Sequence, residues 1–213
     1  MSDNRRFSMF SSAGLGIMLG LGLVLGLVLS LVVGLATGLL AFRGSTPGDD
    51  SAEAGFARDM SAHHAQAVAM GMIAQQRATN ITVRVIGGDI ALTQQGQIGM
   101  MSQWLREWGL NVNGTGQPMA WMPDGENALE DGLMPGMATQ DEMNKLDQAR
   151  GPEVDRLFIA MMIKHHLGGI HMVDGILKQS DNPDVVWLAN SMKAGQQKEI
   201  RALQDAQKSL PAA

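Results

Sequence analysis

The 213-residue chain contains no cysteine and no tyrosine. Without cysteine there is no disulfide framework, no thiolate zinc site and no cysteine nucleophile, and cysteine usage names no redox compartment. Charge is scarce as well. Only 17% of residues are Asp, Glu, Lys or Arg against 45% apolar ones, which excludes a disordered, highly charged tail protein. The net charge of −5 gives no electrostatic reason to propose a nucleic-acid partner. What the chain has in excess is methionine, 17 residues of it.

No charged residue falls between Arg6 and Arg43, and 13–42 reads as one apolar run. At about 1.5 Å per residue the run makes roughly 45 Å of helix, more than the ~30 Å hydrocarbon core of a membrane requires. It is too long for the hydrophobic region of a cleavable signal, about 7–15 residues, and its Leu-Leu-Ala-Phe-Arg exit is a poor cleavage site. The expectation is an uncleaved transmembrane helix over 13–42. Arg5 and Arg6 precede it, and Asp49, Asp50 and Glu53 follow Arg43. That bias keeps residues 1–12 cytoplasmic and places the C-terminal body in the periplasm or outside the cell, on a single-pass membrane anchor. Gly16/Gly20, Gly22/Gly26 and Gly34/Gly38 have the spacing of close helix pairs, which would suit a homodimer, although glycine is common in membrane helices anyway. Residues 43–52 read as a polar linker.

The body, 53–210, is duplicated. At an offset of 102, Phe56–Trp108 aligns with Phe158–Leu210 without a gap, so repeats 53–108 and 152–210 flank a connector, 109–151. Matched identities include Met60/Met162, His63/His165, His64/His166, Met70/Met172, Asn80/Asn182 and Gln94/Gln196. Each repeat reads as a helical hairpin. Helical spacing gathers Phe56, Met60, His63, His64, Ala67, Met70 and Gly71 on one face, and Val83, Ile86, Ile90, Gln94, Ile98, Met101, Leu105 and Trp108 on the next. Asn80 and Asn182 stand where the second helices begin, the latter before Pro183, as an N-cap and first-turn proline do. Two hairpins with one apolar stripe each must bury those stripes together, which predicts an all-α four-helix bundle with a long crossover. Thr139-x-x-Glu142 reads as a capping box for one short extra helix in the connector.

A single histidine on an apolar face is by default a core residue. Here a His pair recurs in both repeats, flanked each time by methionines on the same stripe. Met60, His63, His64 and Met70, repeated as Met162, His165, His166 and Met172, would form thioether–imidazole–thioether columns facing each other inside the bundle. Imidazole with thioether is the ligand set of copper, the thioether favouring Cu(I). Zinc would expect thiolate or carboxylate beside the histidines, and a di-iron site needs Glu on each helix. No Glu lies on the stripes as read. Gln94 and Gln196 should stand nearly level with the histidines, each either orienting an imidazole from behind or simply hydrogen-bonded to its buried neighbours. His171 matches Ala69 and should face solvent. In the connector, Met134 and Met137 could add thioethers at one end of the bundle or simply cap it. No Ser/His/Asp set, phosphate loop or carboxylate pair suggests an enzyme.

Phe-Ala-Arg-Asp-Met-Ser-Ala-His-His-Ala-Gln-Ala at 56–67, Met-Pro-Gly-Met-Ala-Thr at 134–139 and Asp-Arg-Leu-Phe-Ile-Ala-Met-Met-Ile-Lys-His-His-Leu-Gly-Gly at 155–169 resemble the domain of unknown function 305 family over roughly 52–209. The resemblance implies a ferritin-like four-helix bundle, exported or membrane-anchored, with copper binding in some members. It also implies that Met60, His63, His64, Met162, His165 and His166 occupy the metal-associated positions. The expected function is therefore a membrane-anchored, extracytoplasmic copper-binding protein that buffers, sequesters or hands metal to a partner protein. The alternatives are a haem-binding electron carrier and a purely structural or partner-binding bundle.

Overall fold

The computed structural model describes residues 28–34, 46–114 and 116–211. They fall into two compact units, Met1–Thr46 and Pro47–Ala213. In the first, 28–34 is helical and its side chains are exposed. The expected transmembrane helix over 13–42 is corrected here: among the described residues, no helix is long and apolar enough to cross a membrane. Seven helical residues rise only about 10 Å, a third of a hydrocarbon core. The rest of 13–42 lies outside the described residues, as do the expected cytoplasmic segment 1–12 and the Gly16/Gly20 and Gly22/Gly26 pairs read as a homodimer contact.

The second unit is all-α. Its helices are α1 (Ala52–Arg77), α2 (Ile81–Glu107), α3 (Gln140–Gln148), α4 (Pro152–Ile176) and α5 (Pro183–Lys208), with one 3-10 turn at Gly125–Ala128. Local chemistry sets their ends. Ser51 caps α1 by accepting from the Ala54 amide, and Asn80 and Asn182 each accept from two amides at the starts of α2 and α5. Such caps satisfy donors that the helix itself leaves unpaired. Thr139 and Glu142 form the reciprocal capping box of α3.

Helices α1 and α2 form one hairpin, α4 and α5 the other, and α1 packs on α4. Met60 and Met172 share one apolar cluster with Phe56 and Met101, whereas Met70 and Met162 share a second with Phe158 and Ile90. Residues at opposite ends of the repeated motif therefore meet, so α1 and α4 run antiparallel about a pseudo-twofold axis. The two clusters are separated by the histidines, and Phe56 and Phe158, repeat equivalents, anchor opposite halves. Burying each ring completely contributes about 2–3 kcal/mol. Gly71 faces the Gly87 carbonyl so closely that a Cβ there would lie 2.5 Å from the oxygen, which draws α1 against α2.

A polar stripe on α1, spaced at four and then three residues, grips the connector. Asp59 accepts from the Met119 amide at 2.7 Å and the Trp121 indole at 2.8 Å. Gln66 exchanges two hydrogen bonds with the Ala138 backbone, at 2.7 and 2.8 Å. His63 stands between them. On the far side, Gly136 and Gly168 let the connector lie on α4: a Cβ at Gly168 would collide with the Pro135 carbonyl, and one at Gly136 with that of Lys164. The connector thus covers the middle of the α1–α4 seam rather than only an end of the bundle, because this stripe and these glycines hold it there.

The duplication breaks at one buried carboxylate. Asp155 of α4 is fully buried and accepts from the Thr79 amide and hydroxyl and the Asn80 amide, holding the α1–α2 turn. Its repeat equivalent, Glu53, lies in the first turn of α1. Asp155→Ala leaves those donors unpaired and should lower stability by about 3 kcal/mol, the scale for hydrogen bonds to a buried charge. Glu53→Ala should cost under about 1 kcal/mol, a first-turn dipole effect. Urea midpoints at unchanged slope measure both, and equal losses would contradict this assignment.

Candidate metal centre

The four histidines form one layer across the seam. His63, His64 and His166 are fully buried and His165 is 1% exposed. His63 and His165 face each other from α1 and α4 with ring centroids 3.8 Å apart and planes 33° apart. Their neighbours His64 and His166, turned by about 100° on each helix, stand 6.4 Å away, centroid to centroid.

Each ring commits its Nε2 to an oxygen. His63 Nε2 donates to the Pro135 carbonyl and His165 Nε2 to the His63 carbonyl, both at 3.0 Å. His64 Nε2 meets Gln97 Oε1 at 2.8 Å, and His166 Nε2 meets Glu199 Oε2 at 2.7 Å. A carbonyl or carboxylate oxygen only accepts, so every ring carries a proton on Nε2, and a ring that is neutral keeps a lone pair on Nδ1. All four Nδ1 atoms are buried and unpartnered. With Gln94 Nε2 and Oε1 and Gln196 Oε1, they make up every unpartnered buried side-chain N or O among the described residues. Leaving such an atom unsatisfied costs about 1–3 kcal/mol.

The predicted thioethers are close at hand in the fold. Met60, Met70, Met162 and Met172 are fully buried, Met60 and Met172 on one side of the layer and Met70 and Met162 on the other. Met134 is buried in the first cluster, and Met137 packs partly buried against it. The connector reaches the layer through Pro135, by its carbonyl. His171, on the outer face, is 48% exposed and bonded to Asp124. Among the described residues no group of three or more His, Asp or Glu could hold a metal ion, so no more than two imidazole Nδ1 atoms meet at one ion and thioether sulfur would have to complete its ligand set.

Gln94 and Gln196 sit in the buried stripe but bond no histidine; Gln196 lies instead against Gly169, where a Cβ would come within 2.6 Å of its oxygen. The imidazole partners are Gln97 and Glu199, one turn further on, and Glu199 also corrects the reading that no Glu reaches these faces. A repeat search for identities passes over this pair because one is an amide and the other an acid. A signal was present, since His64 and His166 lie 16 residues before Asn80 and Asn182, while Gln97 and Glu199 lie 17 after them.

Burial governs protonation. Removal from water pushes His63 down to about 4. It pushes His64 down to about 3, with the neighbouring His63 as a second cause. His165 is held well below the usual imidazole range by burial first and by the other rings next. His63, His64 and His165 are therefore neutral at pH 7, their lone pairs available without loss of a proton. An unfolded imidazole takes up a proton near pH 6.5 and the folded His63 only near 4, so unfolding binds protons between those values and acid favours it. Metal-free protein should therefore lose stability as pH falls through that window, by up to about 1.4 kcal/mol per pH unit per ring. Urea unfolding between pH 7 and pH 4 reads this directly, and a flat profile would mean the rings are not buried as neutral bases.

No curated protein matches the chain. A DUF305 protein from Streptomyces coelicolor, described as a candidate secreted protein, is similar at 42% identity and TM-score 0.68, over 74% of this chain and 93% of its own. A DUF305 fragment from Deinococcus radiodurans is similar at 30% identity and TM-score 0.62, over 75% and 96%. CopM, solved in a Cu(II)-bound form, shares the fold at 23% identity and TM-score 0.57, over 73% and 94%. The family described as Domain of unknown function (DUF305) matches residues 53–207. That span takes in both hairpins and the connector between them, and the chain belongs to the DUF305 family.

Proposed function

We propose that this protein binds copper in the histidine layer, outside the cytoplasm, and that it buffers, sequesters or passes on the metal rather than transforming a substrate. One observation carries the reading: four buried imidazoles, each with Nε2 tied to an oxygen and Nδ1 left without a partner. A histidine that ligates metal through one nitrogen commonly donates its other N–H to a carbonyl or carboxylate, which sets the tautomer and aims the ring. Soft thioethers bound the layer on both sides, and imidazole with thioether suits copper, Cu(I) above all. His63, His64, His165 and His166 would supply nitrogen, and Met60, Met70, Met162 and Met172 sulfur. Met134 and Met137, from the connector, are the candidates for an added thioether.

Two features of relatives support the reading. CopM, which shares the fold, is described in Cu(I)-, Cu(II)- and Ag-bound forms. The Streptomyces relative is described as secreted, in keeping with a site beyond the cytoplasm. A haem between the two facing histidines is disfavoured, because rings whose centroids are 3.8 Å apart leave no gap for a macrocycle. A purely structural bundle would carry four unsatisfied buried nitrogens with no return for them.

The chain should withdraw Cu(I) from a chromophoric chelator, and copper should raise its unfolding temperature, since a ligand that binds only the folded state stabilises it. His63→Leu/His165→Leu, checked for folding by circular dichroism, should weaken binding at least tenfold. Unchanged copper affinity in that folded variant would refute the site.

A further inference from the structure

Within the histidine layer the two repeats match residue for residue at Met60/Met162, His63/His165, His64/His166, Met70/Met172 and Gln94/Gln196. They differ where each outer ring finds its oxygen. His64 Nε2 meets an amide, Gln97, at 2.8 Å; His166 Nε2 meets a carboxylate, Glu199, at 2.7 Å. The geometry is the same and the charge is not. Glu199 is the one carboxylate bonded to a ring of the layer among the described residues. Its side chain is 23% exposed while the ring it holds is 0% exposed, so a wet anion acts on a dry imidazole.

Resting on the copper reading above, we infer that Glu199 is a positioning residue that acts through His166 and makes the two halves of the layer inequivalent in the copper charge they favour. A cation in an apolar interior is disfavoured more strongly as its charge rises, unless an opposite charge lies close. The His63–His64 half, with Gln97, offers only neutral groups, which suits Cu(I). The His165–His166 half has a full negative charge one ring away. The charge-assisted hydrogen bond also increases the donor strength of Nδ1. Both effects favour Cu(II) over Cu(I) on that side. The inner rings also differ, His63 bonding the Pro135 carbonyl and His165 that of His63, but both acceptors are neutral, and the amide-to-acid difference is the one that changes charge.

The experiment is a redox titration of the copper-loaded full-length chain, followed by the Cu(II) electron paramagnetic resonance signal. Glu199→Gln is isosteric and should reduce Cu(II) affinity relative to Cu(I) about tenfold, raising the reduction potential by about 59 mV for one electron. Gln97→Glu should shift it in the opposite direction, which a folding defect would not imitate. The exchanged variant Gln97→Glu/Glu199→Gln should return the potential to the wild-type value and restore the Cu(II) signature. Wild-type copper binding with unmoved potentials in both single variants overturns this inference and leaves the copper reading standing. Wild-type protein that takes up no copper overturns both.

Discussion

The histidine layer depends on where each imidazole places its single N–H. In a buried neutral ring, one nitrogen donates and the other must accept or remain unsatisfied. Carbonyls of Pro135 and His63 and the side-chain oxygens of Gln97 and Glu199 take up the four Nε2 positions. The tautomer of every ring is thereby set, and so is the direction of every free lone pair. Burial reinforces this at His63, His64 and His165 by keeping those rings unprotonated at neutral pH, so a proton does not compete strongly for the same nitrogen.

Much of the surrounding architecture serves to hold those oxygens still. The His63 carbonyl belongs to a helix, yet it also receives the ring of His165 across the seam, so one residue is donor to the connector and acceptor for its repeat equivalent. Pro135 is presented by a connector pinned through Asp59 and Gln66 and lowered onto α4 at Gly136 and Gly168. Apolar clusters on both sides exclude water and supply the methionines. The layer is the polar seam between two otherwise separate cores.

On the copper reading, an oriented donor set in a close-packed interior would bind with little loss to reordering side chains. Metal occupancy would then be tied to fold stability, since the atoms proposed to hold an ion are unsatisfied without one. Methionine adds softness and adaptability, while the ring nitrogens give direction. A duplicated gene segment supplies both halves, and small departures from symmetry, at Asp155 against Glu53 and at Glu199 against Gln97, give each half its own character.

The donors, the duplication and the helix ends could be read in the chain because they are local. Helical spacing puts Met60, His63 and Met70 on one face, Asn80 and Asn182 cap α2 and α5, and Thr139 with Glu142 opens α3. Over 13–42 length and hydropathy predicted a membrane span, whereas among the described residues no helix is long and apolar enough to cross one. The partners of the outer rings were legible only by counting across the hairpin bend, since Gln94 and Gln196 lie on the expected stripe, yet Gln97 and Glu199 make the bonds. The connector's place over the seam, and with it the acceptor for His63, was out of reach. Residue order alone picked out the repeated histidines and methionines that the fold buries. Which nitrogen of each ring is free came only with the packed fold, because it depends on oxygens 72 and 102 residues away for the two facing histidines, brought near by contacts that no single helix encodes.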